Sequence, residues 1–112
     1  MDDQDYIRKA VELADGWQYD EIGHTGIYKI FLPDTMNIWV SFDYQPALDA
    51  IAAQLVRQVE DIDSAWLDIS SCGYVRIFVG DGDEEVATQF GDDRTMNTIK
   101  AIVDSAVLAE DK

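Results

Sequence analysis

"PALDAIAAQLVRQVEDI", residues 46–62, carries the clearest signal in the chain. Leu48, Ile51, Ala52, Leu55, Val59 and Ile62 recur at the i, i+3, i+4, i+7 spacing that lines one face of an α-helix. Pro46 suits the first turn, where the amide it lacks would have no partner. The opposite face carries Asp49, Arg57, Glu60 and Asp61, so one side requires burial and the other water. A helix divided in this way needs a second layer to pack on.

The flanking segments supply it. Downstream, "AWLDIS" (65–70) and "YVRIFV" (74–79) are joined through "SCG", and "EEVATQF" (84–90) follows after a polar turn. Connections this short permit only antiparallel pairing, because a parallel return needs about a dozen residues. Upstream, "IYKIFLP" (27–33) places Tyr28, Ile30 and Leu32 on one face and Ile27, Lys29 and Phe31 on the other. "NIWVSF" (37–42) alternates Ile38, Val40 and Phe42 against Trp39 and Ser41, across a turn at Pro33 and Asp34. "WQYDEIGHTG" (17–26) reads as a loop.

Both ends read as helices. In "DDQDYIRKAVELAD" (2–15), Tyr6, Ile7, Ala10, Val11 and Ala14 share a face, with Asp2, Asp3 and Asp5 where the helix dipole favours anions, and Gly16 as terminator. "DRTMNTIKAIVDSAVLAED" (93–111) aligns Met96, Ile99, Ile102, Val103 and Ala106, with Asp92 or Asp93 as N-cap. The expected fold is α+β: an antiparallel sheet of about five strands packed with three helices, in the order α-β-β-α-β-β-β-α. Residues 1–112 form one domain, and no internal repeat or low-complexity linker is present. Trp17, Trp39 and Trp66 either fill the layer between helices and sheet or lie exposed.

Composition restricts the function. The 112 residues are 47% hydrophobic, which argues against disorder despite a net charge of −15. A pI near 4.1 sets the chain against direct binding to nucleic acid or an anionic membrane and favours a basic protein partner. Spread over a surface of about 6,000 Å² this charge is roughly one per 400 Å². Duplex DNA carries roughly one per 100 Å², so imitation of a phosphate backbone requires the acids to be concentrated. A single cysteine, Cys72, leaves no internal disulfide, and neither a signal peptide nor an apolar run of membrane-spanning length is seen. The expected location is the cytoplasm of whatever cell makes the protein.

"VGDGDEEVATQFGDD" (79–93) holds six carboxylates and no base. Aligned to an EF-hand loop from Asp81, it puts Val86 where the sharp turn needs glycine and Asp92 where a bidentate glutamate belongs, so no metal or other cofactor is expected. Cys72 and His24 are too few for a zinc site, and nothing in their spacing pairs them as nucleophile and base. No phosphate-binding glycine loop is present, and no enzymatic activity is expected. Two acidic clusters stand out: Asp81, Asp83, Glu84, Glu85, Asp92 and Asp93 around the last hairpin, and Glu60, Asp61 and Asp63 after the central helix. They are read either as a solvated surface or as a docking face for a basic partner.

The succession of segments resembles the phage ABA sandwich family of small phage and prophage proteins. The resemblance rests on a first helix ending in Gly-Trp ("VELADGW"), a central helix after a polar turn ("DYQPALDAIAAQLVRQV") and a final helix behind a Thr-containing turn ("DDRTMNTIKAIVDSAVL"). It implies a fold and a phage or prophage origin, and no activity. The acidity is shared with small anti-CRISPR and anti-restriction inhibitors. The expected function is that of a non-enzymatic acidic binding protein, docking on the nucleic-acid site of a defence protein with its carboxylates in place of phosphates. The alternative is a small accessory domain acting through an apolar patch, as a homodimer using Trp39 or Trp66.

Overall fold

The computed structural model describes residues 2–22, 27–31, 39–62, 64–70, 74–80, 84–89 and 91–111, to which all structural statements below refer. In chain order they form α1 (Asp3–Leu13), β1 (Gln18–Ile22), β2 (Ile27–Phe31), β3 (Trp39–Ser41), α2 (Gln45–Glu60), β4 (Ala65–Ile69), β5 (Val75–Val79), β6 (Glu84–Gln89), α3 (Arg94–Ser105) and α4 (Val107–Asp111). The class is α+β and every described strand pairing is antiparallel. Two three-stranded meanders, β1-β2-β3 and β4-β5-β6, are each followed by a helix, so the pattern βββα occurs twice after α1.

The apolar stripe of α2 is buried as its spacing predicts, with Ile51, Leu55 and Val59 fully excluded from water. The helix packs on α1, α3 and α4 as well as on β4. α3 packs on α1, on α2 and on β5 and β6, and accordingly buries Met96, Asn97, Thr98, Ile99, Ala101 and Ile102. Its two buried polar side chains are satisfied locally: Asn97 Nδ2 donates to the Gly91 carbonyl at 3.2 Å and Thr98 Oγ1 to the Arg94 carbonyl at 2.9 Å.

Side-chain ties show that the three long helices run in the same sense. Lys100 Nζ meets Asp3 at 2.9 Å and the Tyr6 hydroxyl donates to Asp104 at 2.9 Å, so α1 and α3 advance together. Gln58 accepts from the Asp15 amide and donates to the Leu13 carbonyl, both at 2.9 Å, which joins the C-terminal ends of α1 and α2. Thr95 Oγ1 donates to Asp49 Oδ1 at 2.7 Å near the starts of α3 and α2.

The first meander presents the cross-strand row Tyr19–Ile30–Val40 to the core, with Ile30 fully buried and Phe42 edge-on to Tyr19 at 6.3 Å. The second turns Val75 and Ile77 inward and leaves Trp66 and Phe78 stacked on its outer face, ring centroids 4.1 Å apart. A radius of gyration of 14.1 Å, against about 13 Å for a compact chain of this length, and extents of 46 × 28 × 24 Å describe an elongated molecule.

Three features differ from the sequence expectation. Residues 18–22, read as a loop, form β1, because Tyr19 fills the core row while Gln18 and Asp20 face water. The expected single sheet of about five strands is instead two three-stranded sheets, because among the described residues β3 pairs with β2 and β4 with β5 and no ladder joins the two sets. The last helix breaks at Ala106, whose φ of 59° is left-handed. Ser105 stabilises the break, its hydroxyl donating to the Ile102 carbonyl at 2.7 Å and accepting from the Val107 amide at 3.4 Å. Trp17 is half-buried against the core and Trp66 is 44% exposed; the side chain of Trp39 lies outside the description.

Left-handed backbone at a residue with a Cβ costs about 1 kcal/mol relative to glycine. Ala106→Gly is therefore expected to raise the melting temperature by roughly 4 °C in a thermal scan. An unchanged or lower value would show that the break is not strained.

Candidate functional site

The parallel arrangement of α1, α2 and α3 brings their N-termini to one end of the molecule. Asp2 caps α1, its carboxylate accepting the Asp5 amide at 2.9 Å in a reciprocal capping box. Asp93, not Asp92, caps α3 and accepts the Met96 amide at 3.1 Å. α2 has no side-chain cap at Tyr44, but Asp49 in its second turn accepts from both Thr95 and Gln45 Nε2, the latter at 2.8 Å. Those bonds, Thr95 first, hold the Asp49 carboxyl below its ordinary value of 3.8.

Between these ends lies a half-open cavity of about 280 Å³. Its apolar lining is Ile7 from α1, Phe42 from the end of β3, Leu48 from α2 and Met96 from α3, each only 5–6% exposed. Asp3, Asp43 and Asp93 supply its charge, with Gln4 and Gln45 between them, and no lining residue is basic. Asp3 pairs with Lys100 and Asp43 accepts from the Ser41 hydroxyl.

Part of this acidity compensates the fold. Each helix contributes about +0.5 charge at its N-terminus, roughly 1.5 for three. The carboxylates gathered there are Asp2, Asp3, Asp5, Asp43, Asp49, Asp92 and Asp93; Arg8 and Lys100 pair with Asp5 and Asp3, and Arg94 adds a further positive charge. About two to three negative charges remain in excess.

The sequence-predicted acids divide among three places. Asp92 and Asp93 are exposed at the N-terminus of α3. Glu85 is exposed opposite Phe78 on β6, where its charge adds to the hydrogen bond to Asp68 that chiefly raises the pKa of Arg76, while Glu84 opens the same strand. Glu60 and Asp61 are exposed at the C-terminal end of α2, roughly 17 Å along the helix from Asp49. Asp63, Asp81, Asp83, His24 and Cys72 lie outside the described residues. The structure thus joins Asp93 to Asp3 and Asp43, which sequence reasoning did not group with it, and separates it from Glu60 and Asp61. Only the helical register makes that association, across 40 to 90 residues of chain.

Among the described residues, no three His, Cys, Asp or Glu side chains are placed to hold a metal ion, and no helix is long and apolar enough to cross a membrane. Comparison of the chain with protein-family models, curated proteins and solved structures finds no match.

The lowered pKa of Asp49 has a defined pH signature. A carboxyl whose folded pKa lies below its unfolded value contributes stability above the unfolded pKa and loses it as pH falls through the folded one. Wild type should exceed Asp49→Asn in urea stability by a few tenths of a kcal/mol at pH 7, the bond being exposed to solvent. That difference should disappear as the pH falls below the ordinary carboxylate range. A difference constant from pH 7 to pH 2 would mean that the charge of Asp49 contributes nothing.

Proposed function

We propose that the protein is a non-enzymatic acidic binding protein that docks on a Lys/Arg-lined surface of a basic partner. The observation that carries this reading is the excess of exposed carboxylate at the shared helix N-termini, beyond what dipoles and paired bases neutralise. Asp92 and Asp93 are its foremost contacts. Glu60 and Asp61 form a second patch at the far end of α2, where carboxylates act against the helix dipole and so do nothing for the fold. Glu84, Glu85, Asp63, Asp81 and Asp83 complete the acidic set. The accessible surface of 6,553 Å² gives about 440 Å² per net charge, too sparse to imitate duplex DNA over the whole molecule, so recognition is local.

In its narrower form, the partner is a nucleic-acid-binding defence protein and the chain an inhibitor of phage or prophage origin acting in the host cytoplasm. The segment resemblance to phage ABA sandwich proteins and the compositional likeness to small acidic inhibitors support that form.

Tagged protein should capture a basic partner from host lysate at 50 mM salt and release it by 500 mM, because the attraction is screened. Duplex DNA should compete, and Asp92→Asn with Asp93→Asn should weaken capture while asparagine keeps the α3 cap. Capture that survives high salt, or that ignores both substitutions, would sink this reading.

A second reading has its own observation. Trp66 at 44% and Tyr74 at 40% exposure share the outer face of β4 and β5 with Phe78, beside the Arg76–Asp68 ion pair. This face is aromatic and carries little net charge, as an apolar-patch homodimer requires. A dimer seen by sedimentation at both 50 and 500 mM salt and lost in Trp66→Glu would support it; a monomer under both conditions would remove it.

A further inference from the structure

We infer that the cavity at the shared N-terminal end of α1, α2 and α3 receives one lysine or arginine side chain from a protein partner. The inference rests on the acidic-docking reading and gives that docking a specific seat. Four observations lead to it.

The first is size. At about 280 Å³ the cavity lies just under the roughly 300–1,000 Å³ of pockets that enclose drug-sized ligands, and suits a single long side chain.

The second is the combination of surfaces. Ile7, Phe42, Leu48 and Met96 make an apolar lining with carboxylates beside it. Lysine and arginine match that division, an aliphatic stem carrying a charged head. A small inorganic cation would gain nothing from the lining, and an uncharged apolar group would leave the carboxylates unanswered.

The third is which sign of charge the helix ends accept. Open helix N-termini attract anions through their unpaired amides. Here the Asp93 carboxylate takes the Met96 amide and Asp2 takes the Asp5 amide; α2 has no side-chain cap but carries in its first turn Pro46, which has no amide hydrogen to offer, and the excess charge is negative. An anion is therefore disfavoured.

The fourth is the state of the carboxylates. Lys100 already neutralises Asp3, so the recognition falls to Asp43 and Asp93. They come from different elements, Asp43 from the β3–α2 turn and Asp93 from the cap of α3, and both line the cavity. Such charge-assisted hydrogen bonds are stronger than neutral ones.

The test uses full-length protein with labelled methyl groups at pH 5, where aspartates are ionised and short-stem ammonium groups keep their protons, and three acetylated, amidated tetrapeptides: tetralysine, its diaminopropionate analogue on a one-carbon stem, and tetraglutamine. Tetralysine should shift the methyl resonances of Ile7, Leu48 and Met96. The diaminopropionate peptide should bind about fivefold or more weakly, since it lacks the methylenes that the lining would cover. Tetraglutamine should not bind measurably. Asp43→Asn combined with Asp93→Asn should weaken tetralysine about tenfold, whereas Asp15→Asn with Asp20→Asn, exposed carboxylates outside the cavity and outside both acidic patches, should change it by less than about twofold.

Equal binding of the two cationic peptides, methyl resonances that do not move, or equal weakening by both variant pairs would each overturn the cavity assignment. Those results would leave salt-sensitive docking on the acidic surface intact. Salt-resistant capture alongside the expected methyl shifts would do the reverse. The peptide series needs no variant, so it decides the question even where a double substitution perturbs folding.

Discussion

Helices that run in the same sense add their dipoles instead of cancelling them. Because α3 lies between α1, α2 and the second meander, α1 and α2 are set in register with it and all three begin at one end of the molecule. That end requires negative side chains, and it has them: a capping box at α1, a cap at α3 and a doubly bonded Asp49 in α2. The cavity follows from the same geometry. Three helix ends cannot close completely around Ile7, Leu48 and Met96, and the space that remains is bordered by the acids that the dipoles require.

This separates two kinds of acidity that composition cannot distinguish. Carboxylates at the shared N-terminal end serve the fold first, and only their excess is available for recognition. Glu60 and Asp61 close α2 where the helix offers negative partial charge, and none of the described ion pairs involves them. Their placement costs a few tenths of a kcal/mol each. Solubility or a partner, and not the stability of the helix, accounts for them.

Much of the fold was legible. The stripe Leu48, Ile51, Ala52, Leu55 and Val59 is buried, as are Ile7, Ala10 and Val11 in α1 and Met96, Ile99 and Ile102 in α3. Periodicity reports such faces directly, because it records which side of an element loses water. It does not report what lies on the other side of the interface, so a core that combines helix-on-helix and helix-on-sheet packing was read as helix-on-sheet alone. β1 was missed because "QYDEI" shows too little alternation to be recognised, and the break at Ala106 because neither glycine nor asparagine marks it. The candidate site was legible only in part. Asp93 was selected as an acid and as a cap, but its neighbours Asp3 and Asp43 are set by the relative register of three helices, which no local pattern encodes.

The repeated βββα pattern bears on how the chain reaches this state. Each meander pairs strands that are neighbours in sequence, so its ladders form over short loops and at small entropic cost. α1 must instead find α3 across most of the chain, and the Tyr6–Asp104 hydrogen bond spans 98 residues. The loop-closure cost of folding is therefore concentrated in the docking of the first helix, and local contacts elsewhere favour fast collapse of the two meanders before it. The same docking brings Asp3 and Ile7 to the cavity, which is therefore complete only when the two ends of the chain meet.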